Sequence, residues 1–340
     1  MRKIVFCIIG LVLVLLFQPN WGTCAEQKSV HLTMGSTSSA SGLYAYAVAV
    51  ARVVNKANIG LKVTVVESGA ALDNLRRVKE GVFDLALMVD IPSAMQMYRG
   101  IGTFQGQAWE PLRFLMFRNV IHDRIYVRAD SGIKSFSGLA GKKFCPGLPG
   151  SSGAQYMSQI AEALGVKVDF WPASLGDAVR ALKEGRIVGL QKSSPPGGFD
   201  AAMMEVHLTT PLNVIGFSRD EVNKIRAKYP HLSFTEIKAG SIKENPGHPA
   251  FYEETPFVGA VTSSRIPEDV VYRFVKAVAQ GWQEVCAAYP PLKDFNPVAD
   301  YFRLVPPGAE IPAHSGLIRY AKEIGIKIEP RFIPREYQGK

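Results

Sequence analysis

Apolar and polar positions in this chain switch between two periods. Val30, Leu32 and Met34 alternate with polar neighbours and predict a strand over 29–34. Leu43, Ala47, Val50 and Val54 then fall four or three apart, the spacing of a buried helix face. Between them stand Ser36, Thr37, Ser38, Ser39 and Ser41, so the segment reads strand, small-residue loop, helix. A helix start leaves backbone N–H groups unpaired, and hydroxyls beside them add donors, which suits an anion; a plain cap by Ser39 or Ser41 is the simpler use of the same residues.

The pattern repeats. "LRRVKEGVFDLALMVD", 75–90, overlays "VRALKEGRIVGLQKSS", 179–194, pairing Arg76 with Arg180, Lys79 with Lys183, Glu80 with Glu184 and Gly81 with Gly185. Each copy predicts a helix ended by a glycine, then a buried strand with a polar end. Each follows a strand and a small loop, "KVTVVESGA" and "VDFWPASLG". The opening segment has its own counterpart in "KKFCPGLPGSSGAQYMSQIAEALGV", 142–166. Strands and helices alternating twice over imply an α/β protein of two facing lobes, each a mostly parallel sheet flanked by helices. Ligands bind such sheets outside the carboxyl ends of the strands, so the loops of both lobes should meet in one cleft.

Strands over 114–117 and 125–127, with a short helical turn in "SFSGLAGKK", place the passage between lobes near residue 125. A strand over 257–262 and a helix starting at Pro267 predict a return crossing. The expected division is 26–125 with 257–340 as the first lobe and 126–256 as the second. The polar stretch 219–249 reads as loop and edge structure.

The N-terminal pattern differs. Arg2 and Lys3 precede an apolar run from Ile4 to Phe17, then small residues ending "TCA", which predicts a signal peptide over 1–25 cut after Ala25. Trp21 in "WGTC" argues against lipidation of Cys24. No later stretch approaches the roughly 18 apolar residues of a membrane span, so a soluble, periplasmic protein is expected. Loss of Arg2 and Lys3 takes the formal charge from +9 to +7. With no basic block, this argues against nucleic acid and for anionic ligands. Cys145 and Cys286 could pair in an oxidising compartment, or stay as two buried thiols, the preferred reading.

Catalytic motifs were sought. The chain has no G-x-S-x-G, H-E-x-x-H or C-x-x-C, and its six histidines lack metal spacing. "GLPGSSGA" has five residues between Gly147 and Gly153, then Ala154 where a P-loop needs lysine. No metal or cofactor is expected. A secreted hydrolase using Ser152 or Ser38 is the enzyme alternative.

The segments "TMGSTSSASGLYAYAVAVARVVNK", "VVESGAALDNLRRVKEGVFDLALM", "IYVRADSGIKSFSGLAGKKFCPGLPGSSGAQYMSQIAEALGV", "ALKEGRIVGLQKSSPPGGFDAAM", "FVGAVTSSRIPEDVVYRFVKAV" and "IPAHSGLIRYAKEIGI" follow one another in the order of a known family. The mature chain resembles the TAXI class of solute-binding proteins, the extracytoplasmic receptors of TRAP transporters. The resemblance implies a periplasmic-binding-protein-like fold and a small organic acid or amino acid, dicarboxylates and acidic amino acids included, as ligand. It also implies an ion-driven TRAP membrane permease as partner. A sensor kinase or an ABC permease is the alternative partner. The chain departs from the family where serines replace loop glycines, where "LYAY" lacks the usual proline, and at Val89–Ile91 and Val188.

On this reading Ser36, Thr37, Ser38 and Ser39 supply the first lobe's share of the cleft, with Tyr44 at its wall. Gly150, Ser151 and Ser152 face them from the second lobe. Lys192, Ser193 and Ser194 end the repeat's second strand, where Lys192 could meet a carboxylate or simply be solvated. Asp90, near the matching place in the first lobe, could meet an ammonium or hydroxyl group. Ser68 and Ala70, in "ESGA" on the next loop tip, are weaker candidates, Glu67 reads as a strand-end charge, and Trp171 and Phe199 read as core more than as lining.

Overall fold

The computed structural model describes residues 29–39, 41–305, 307–308 and 310–339; the expected signal peptide, with Cys7 and Cys24, lies outside them. The first unit runs β1 (Val30–Gly35), α1 (Gly42–Lys56), β2 (Leu61–Val66), α2 (Ala71–Glu80), β3 (Leu85–Asp90), α3 (Ile91–Arg99) and β4 (Leu112–Val120). The second runs β5 (His122–Arg128), β6 (Lys143–Cys145), α4 (Ser152–Leu164), β7 (Asp169–Phe170), α5 (Leu175–Lys183), β8 (Gly189–Ser194), α6 (Ala201–Thr209), β9 (Leu212–Ile215), α7 (Arg219–Lys228), β10 (Phe234–Ile237) and β11 (Phe251–Glu254). The chain then returns through β12 (Phe257–Ser263), α8 (Glu268–Gln280), α9 (Trp282–Ala288), α10 (Ala299–Leu304) and α11 (Ser315–Glu323).

Two sheets result. One has the order β2-β1-β3-β12-β4; the other has β10-β11-β5-β8-β6-β7, with β9 also on β5. Within them β2-β1-β3 and β7-β6-β8 are the same parallel arrangement, produced by the sequence repeat. Antiparallel ladders extend each parallel core, because β12 returns beside β3 and β4 and β5 pairs with β8, β9 and β11. The molecule is a two-lobed α/β fold of two mixed sheets flanked by helices.

Local chemistry explains the elements. Gly81 (φ 78°) ends α2 and Gly185 (φ 71°) follows α5, so the shared glycine of the repeat takes the left-handed turn at both. Ser41, not Ser39, caps α1, its hydroxyl accepting from the Leu43 N–H at 3.3 Å. Ser151 caps α4 through the Ala154 N–H at 3.2 Å. The stretch 219–249 corrects the loop expectation: α7 forms there, because Ser218 and Glu221 make a reciprocal capping box and Val222 and Ile225 are buried. The helix α3 was also unforeseen; Asp90 caps it, accepting from the Ser93 N–H at 2.8 Å.

The first sheet is covered by one continuous core that joins residues from Leu32 to Ile121 with residues from Val258 to Phe332, including Phe274, Leu317 and Tyr301. The second carries a core on each face, one around Leu182, Leu190 and Met203, the other around Phe136, Tyr156 and Ile225. The chain crosses between sheets at Ile121 and again at Thr255 and Pro256. Cys145 and Cys286 are both free; Cys145 is buried and Cys286 half-buried. No helix among the described residues is long and apolar enough to cross a membrane.

Candidate functional site

Parallel strands of both lobes point their carboxyl ends at each other, and the following helices begin there. The N-termini of α1, α2, α4 and α5 supply Ser41, Ala71, Ser152 and Leu175 to one interlobe cavity of about 110 Å³. Four such ends direct the partial positive charge of their helices towards the same space. The volume suits a compact solute.

Among the expected site residues, Thr37, Ser38, Ala70, Asp90, Ser151, Ser152, Lys192 and Ser193 line this cavity. The other six do not. Ser36 is fully buried behind the loop, where its carbonyl accepts from Ser68 Oγ at 2.9 Å and Asn74 Nδ2 at 2.7 Å. Ser68 thereby ties the β1 loop to the start of α2 and also accepts from the Ala70 N–H at 3.2 Å. Ser39 is exposed and its N–H donates to Glu67 Oε1 at 3.0 Å, which holds the Glu67 carboxyl below its usual range. Tyr44 is half-buried on α1, outside the lining. Gly150 (φ 82°) marks the mouth: a Cβ there would stand 4.0 Å from the Gly69 carbonyl across the cleft. Ser194, the last residue of β8, is buried, its hydroxyl 2.6 Å from that of Tyr126. Phe199 lies in the core and Trp171 packs against it.

The structure adds residues the pattern did not single out. Asp123 enters from β5, and Gln191 from β8 beside Lys192. Asp123 carries no local motif, and only the change of sheets at Ile121 brings it in. Gln191 sits within the repeat, whose offset of 104 residues (192 − 88, as in 180 − 76) also superposes Met88 on Lys192; both line the cavity. Gly153 permits the close approach of Gln191, because a Cβ there would meet Gln191 Oε1 at 2.7 Å. Ala70 (φ 70°, ψ −152°) and Met88 (φ 58°) occupy backbone regions that L-residues avoid, and both line the same cavity. Such conformations cost about 1–3 kcal/mol each and concentrate at functional sites.

Charges around the cavity are unevenly matched. Lys192 Nζ lies 3.4 Å from Asp200 Oδ2 and 3.1 Å from the Ser193 carbonyl. Arg124 Nε donates to Glu253 at 2.6 Å, and His122 Nδ1 is 2.8 Å from the same carboxylate. Burial raises the Glu253 carboxyl, but its bonds to His122 and Arg124 outweigh this and hold it below its usual range. Asp123 Oδ1 accepts from Ser193 Oγ at 2.5 Å, and the β5–β11 ladder sets Glu254 opposite Asp123. Burial pushes both carboxyls up, Glu254 well above the ordinary range, with the Asp123 and Asp90 charges adding to its shift.

The lobes meet around this cavity. Tyr156 of α4 donates its hydroxyl to Asp90 Oδ1 and lies 3.1 Å from Ser93 Oγ, so a buried second-lobe side chain is bonded to the start of α3. A Cβ at Gly42 would stand 3.6 Å from Asp200 Oδ2, which places a third close approach at the start of α1.

Fold and cavity together define a two-lobed α/β protein with a cavity between its lobes. The chain belongs to the NMT1-like family, whose model matches residues 34–325. Solved structures similar to it include the alkanesulfonate-binding protein SsuA from Xanthomonas axonopodis pv. citri bound to MOPS, at 13% identity over 87% of this chain and 84% of that one, TM-score 0.46. An ancestral arginine-binding protein bound to arginine matches at 15% identity over 78% and 99%, TM-score 0.48. The GluR0 ligand-binding core from Nostoc punctiforme with L-glutamate matches at 13% identity over 78% and 100%, TM-score 0.47.

Proposed function

We propose that this chain is an extracytoplasmic solute-binding receptor. It captures a small organic anion or amino acid between lobes 26–125 with 257–340 and 126–256, then delivers it to a TRAP-type membrane permease. The observation that carries the reading is the convergence of four helix N-termini from both lobes on one interlobe cavity whose lining includes six serine and threonine residues. A ligand touching both lobes offsets the cost of closing them, which is what a two-lobed receptor requires. The crossings at Ile121 and at Thr255–Pro256 would act as the hinge. The signal-peptide pattern over 1–25 and the TAXI-like order of segments support the periplasm and the TRAP permease.

The test is thermal unfolding of protein stripped of carried ligand by unfolding and refolding, against organic acids and amino acids. A ligand at a thousand times its Kd adds about 4 kcal/mol of stability. A large rise in Tm with one compact acid, lost in Ser38→Ala/Ser152→Ala, is expected. No rise across the panel, with no compound released from the protein as first purified, would refute a small-solute receptor. Co-purification with a TRAP permease, rather than with an ABC permease or a sensor kinase, checks the partner.

A further inference from the structure

The cavity carries two chemically distinct kinds of unpartnered polar group. Asp90 is 2% exposed and its Oδ2 has no hydrogen-bond partner among the described residues, although Oδ1 is held by Ser93 N–H and the Tyr156 hydroxyl. Asp123, 3% exposed, lines the same cavity near enough for the Asp90 charge to bear on it. Glu254 backs Asp123. The neighbouring cations are paired elsewhere, Lys192 with Asp200, and Arg124 and His122 with Glu253; the Lys192 charge bears on Asp123 without an ion pair to it, and Asp90 has no cation paired to it. Buried carboxyls left without a cation are costly, and the charge is relieved by a proton or by a cation from outside.

Gln191, 6% exposed and cavity-lining, leaves Nε2 without a partner among the described residues. It is pressed against the start of α4, where Gly153 and the Ser151 cap sit. An unpaired amide donor beside a helix N-terminus suits a carboxylate. An uncommitted carboxylate oxygen on Asp90 and an uncommitted amide donor on Gln191, both on residues lining one cavity, describe an amphoteric guest.

We propose that Asp90 and Asp123 form a cation subsite that takes a ligand's ammonium group while Gln191 and the α4 N-terminus take its carboxylate, so that the cargo is a compact ammonium acid rather than a plain organic acid. This rests on the receptor reading and narrows it. It makes Asp90, Asp123 and Gln191 the residues that set specificity.

Calorimetry at pH 7 on the stripped protein, with each proteinogenic L-amino acid beside the 2-hydroxy acid of the same skeleton, tests it. The expected result is one amino acid bound at least about 30-fold more tightly than its 2-hydroxy partner. In Asp90→Asn that ratio should fall at least about tenfold, with the melting temperature confirming a folded variant. Mass spectrometry of the compound released on unfolding the unstripped protein should find an amine-bearing acid; this needs no variant. A 2-hydroxy acid or plain dicarboxylate bound as well as any amino acid would overturn the cation subsite and leave the receptor intact. No binding by either series and no released compound would overturn the receptor reading and this inference with it.

Discussion

Glu254 is the residue whose charge the fold handles least comfortably. Burial is the main cause of its raised pKa, with Asp123 and Asp90 adding to it. A carboxyl raised in the folded state contributes stability that is complete below its unfolded pKa, about 4.3, and is lost as pH rises towards the folded value. Glu254→Gln keeps a donor for Asp123 without a titrating proton. Its Tm should match wild type near pH 4 and exceed it by about 2 °C or more at pH 8; equal melting at both pH values would show that Glu254 carries no such penalty. Gly153 gives a second prediction at this scale. Gly153→Ala drives Gln191 aside, since the new Cβ would meet Oε1 at 2.7 Å. Ligand affinity should fall about tenfold, equivalent to ~1.4 kcal/mol, with little loss of Tm, as calorimetry would read. Both residues were hard to single out in the chain: Gly153 looked like one more glycine of a turn, and Glu254 like one of a run of acids in "FYEET".

Elements were the most legible level. The repeated strand–loop–helix order is observed at β1–α1–β2–α2–β3 and β6–α4–β7–α5–β8, because periodicity and capping glycines are local signals. The helix α7 was missed for the opposite reason: its stretch is strongly polar, and only Val222 and Ile225 mark a buried face. The α4 cap is testable here. Ser151→Ala removes the acceptor for the Ala154 N–H and should cost about 1 kcal/mol in urea unfolding. Because the same turn faces the cavity, affinity should drop as well; a stability loss without a loss of binding would separate the cap from the site.

At the scale of the whole molecule, the Asp90–Tyr156 bond, with the Ser93–Tyr156 contact beside it, is a buried polar link between lobes. Tyr156→Phe leaves the Asp90 carboxyl short of a donor it now has, a loss of about 1–3 kcal/mol that falls on the closed arrangement. Small-angle scattering of the ligand-free variant should show a larger radius of gyration than wild type, and ligand should bind several-fold more weakly. An unchanged radius and affinity would mean that closure does not depend on this bond. The sites of contact between lobes were not readable in advance, since Asp90 and Tyr156 are 66 positions apart and lie in unlike local patterns.

By itself the sequence determined what is local: periods of two and 3.6, capping serines, left-handed glycines, and a repeat that forces two similar α/β units. It therefore placed Thr37, Ser38, Asp90, Ser151, Ser152, Lys192 and Ser193 on loops and strand ends that now share one cavity. Tertiary structure decided what depends on how the units meet. It turned Ser36 and Ser194 inwards, left Ser39 on the surface, and committed Lys192 to Asp200. It also brought in Asp123, Gln191 and Glu254. The physical reason is that burial and charge pairing are set by neighbours distant in the chain, and no local pattern encodes which carboxyl will be left without a cation.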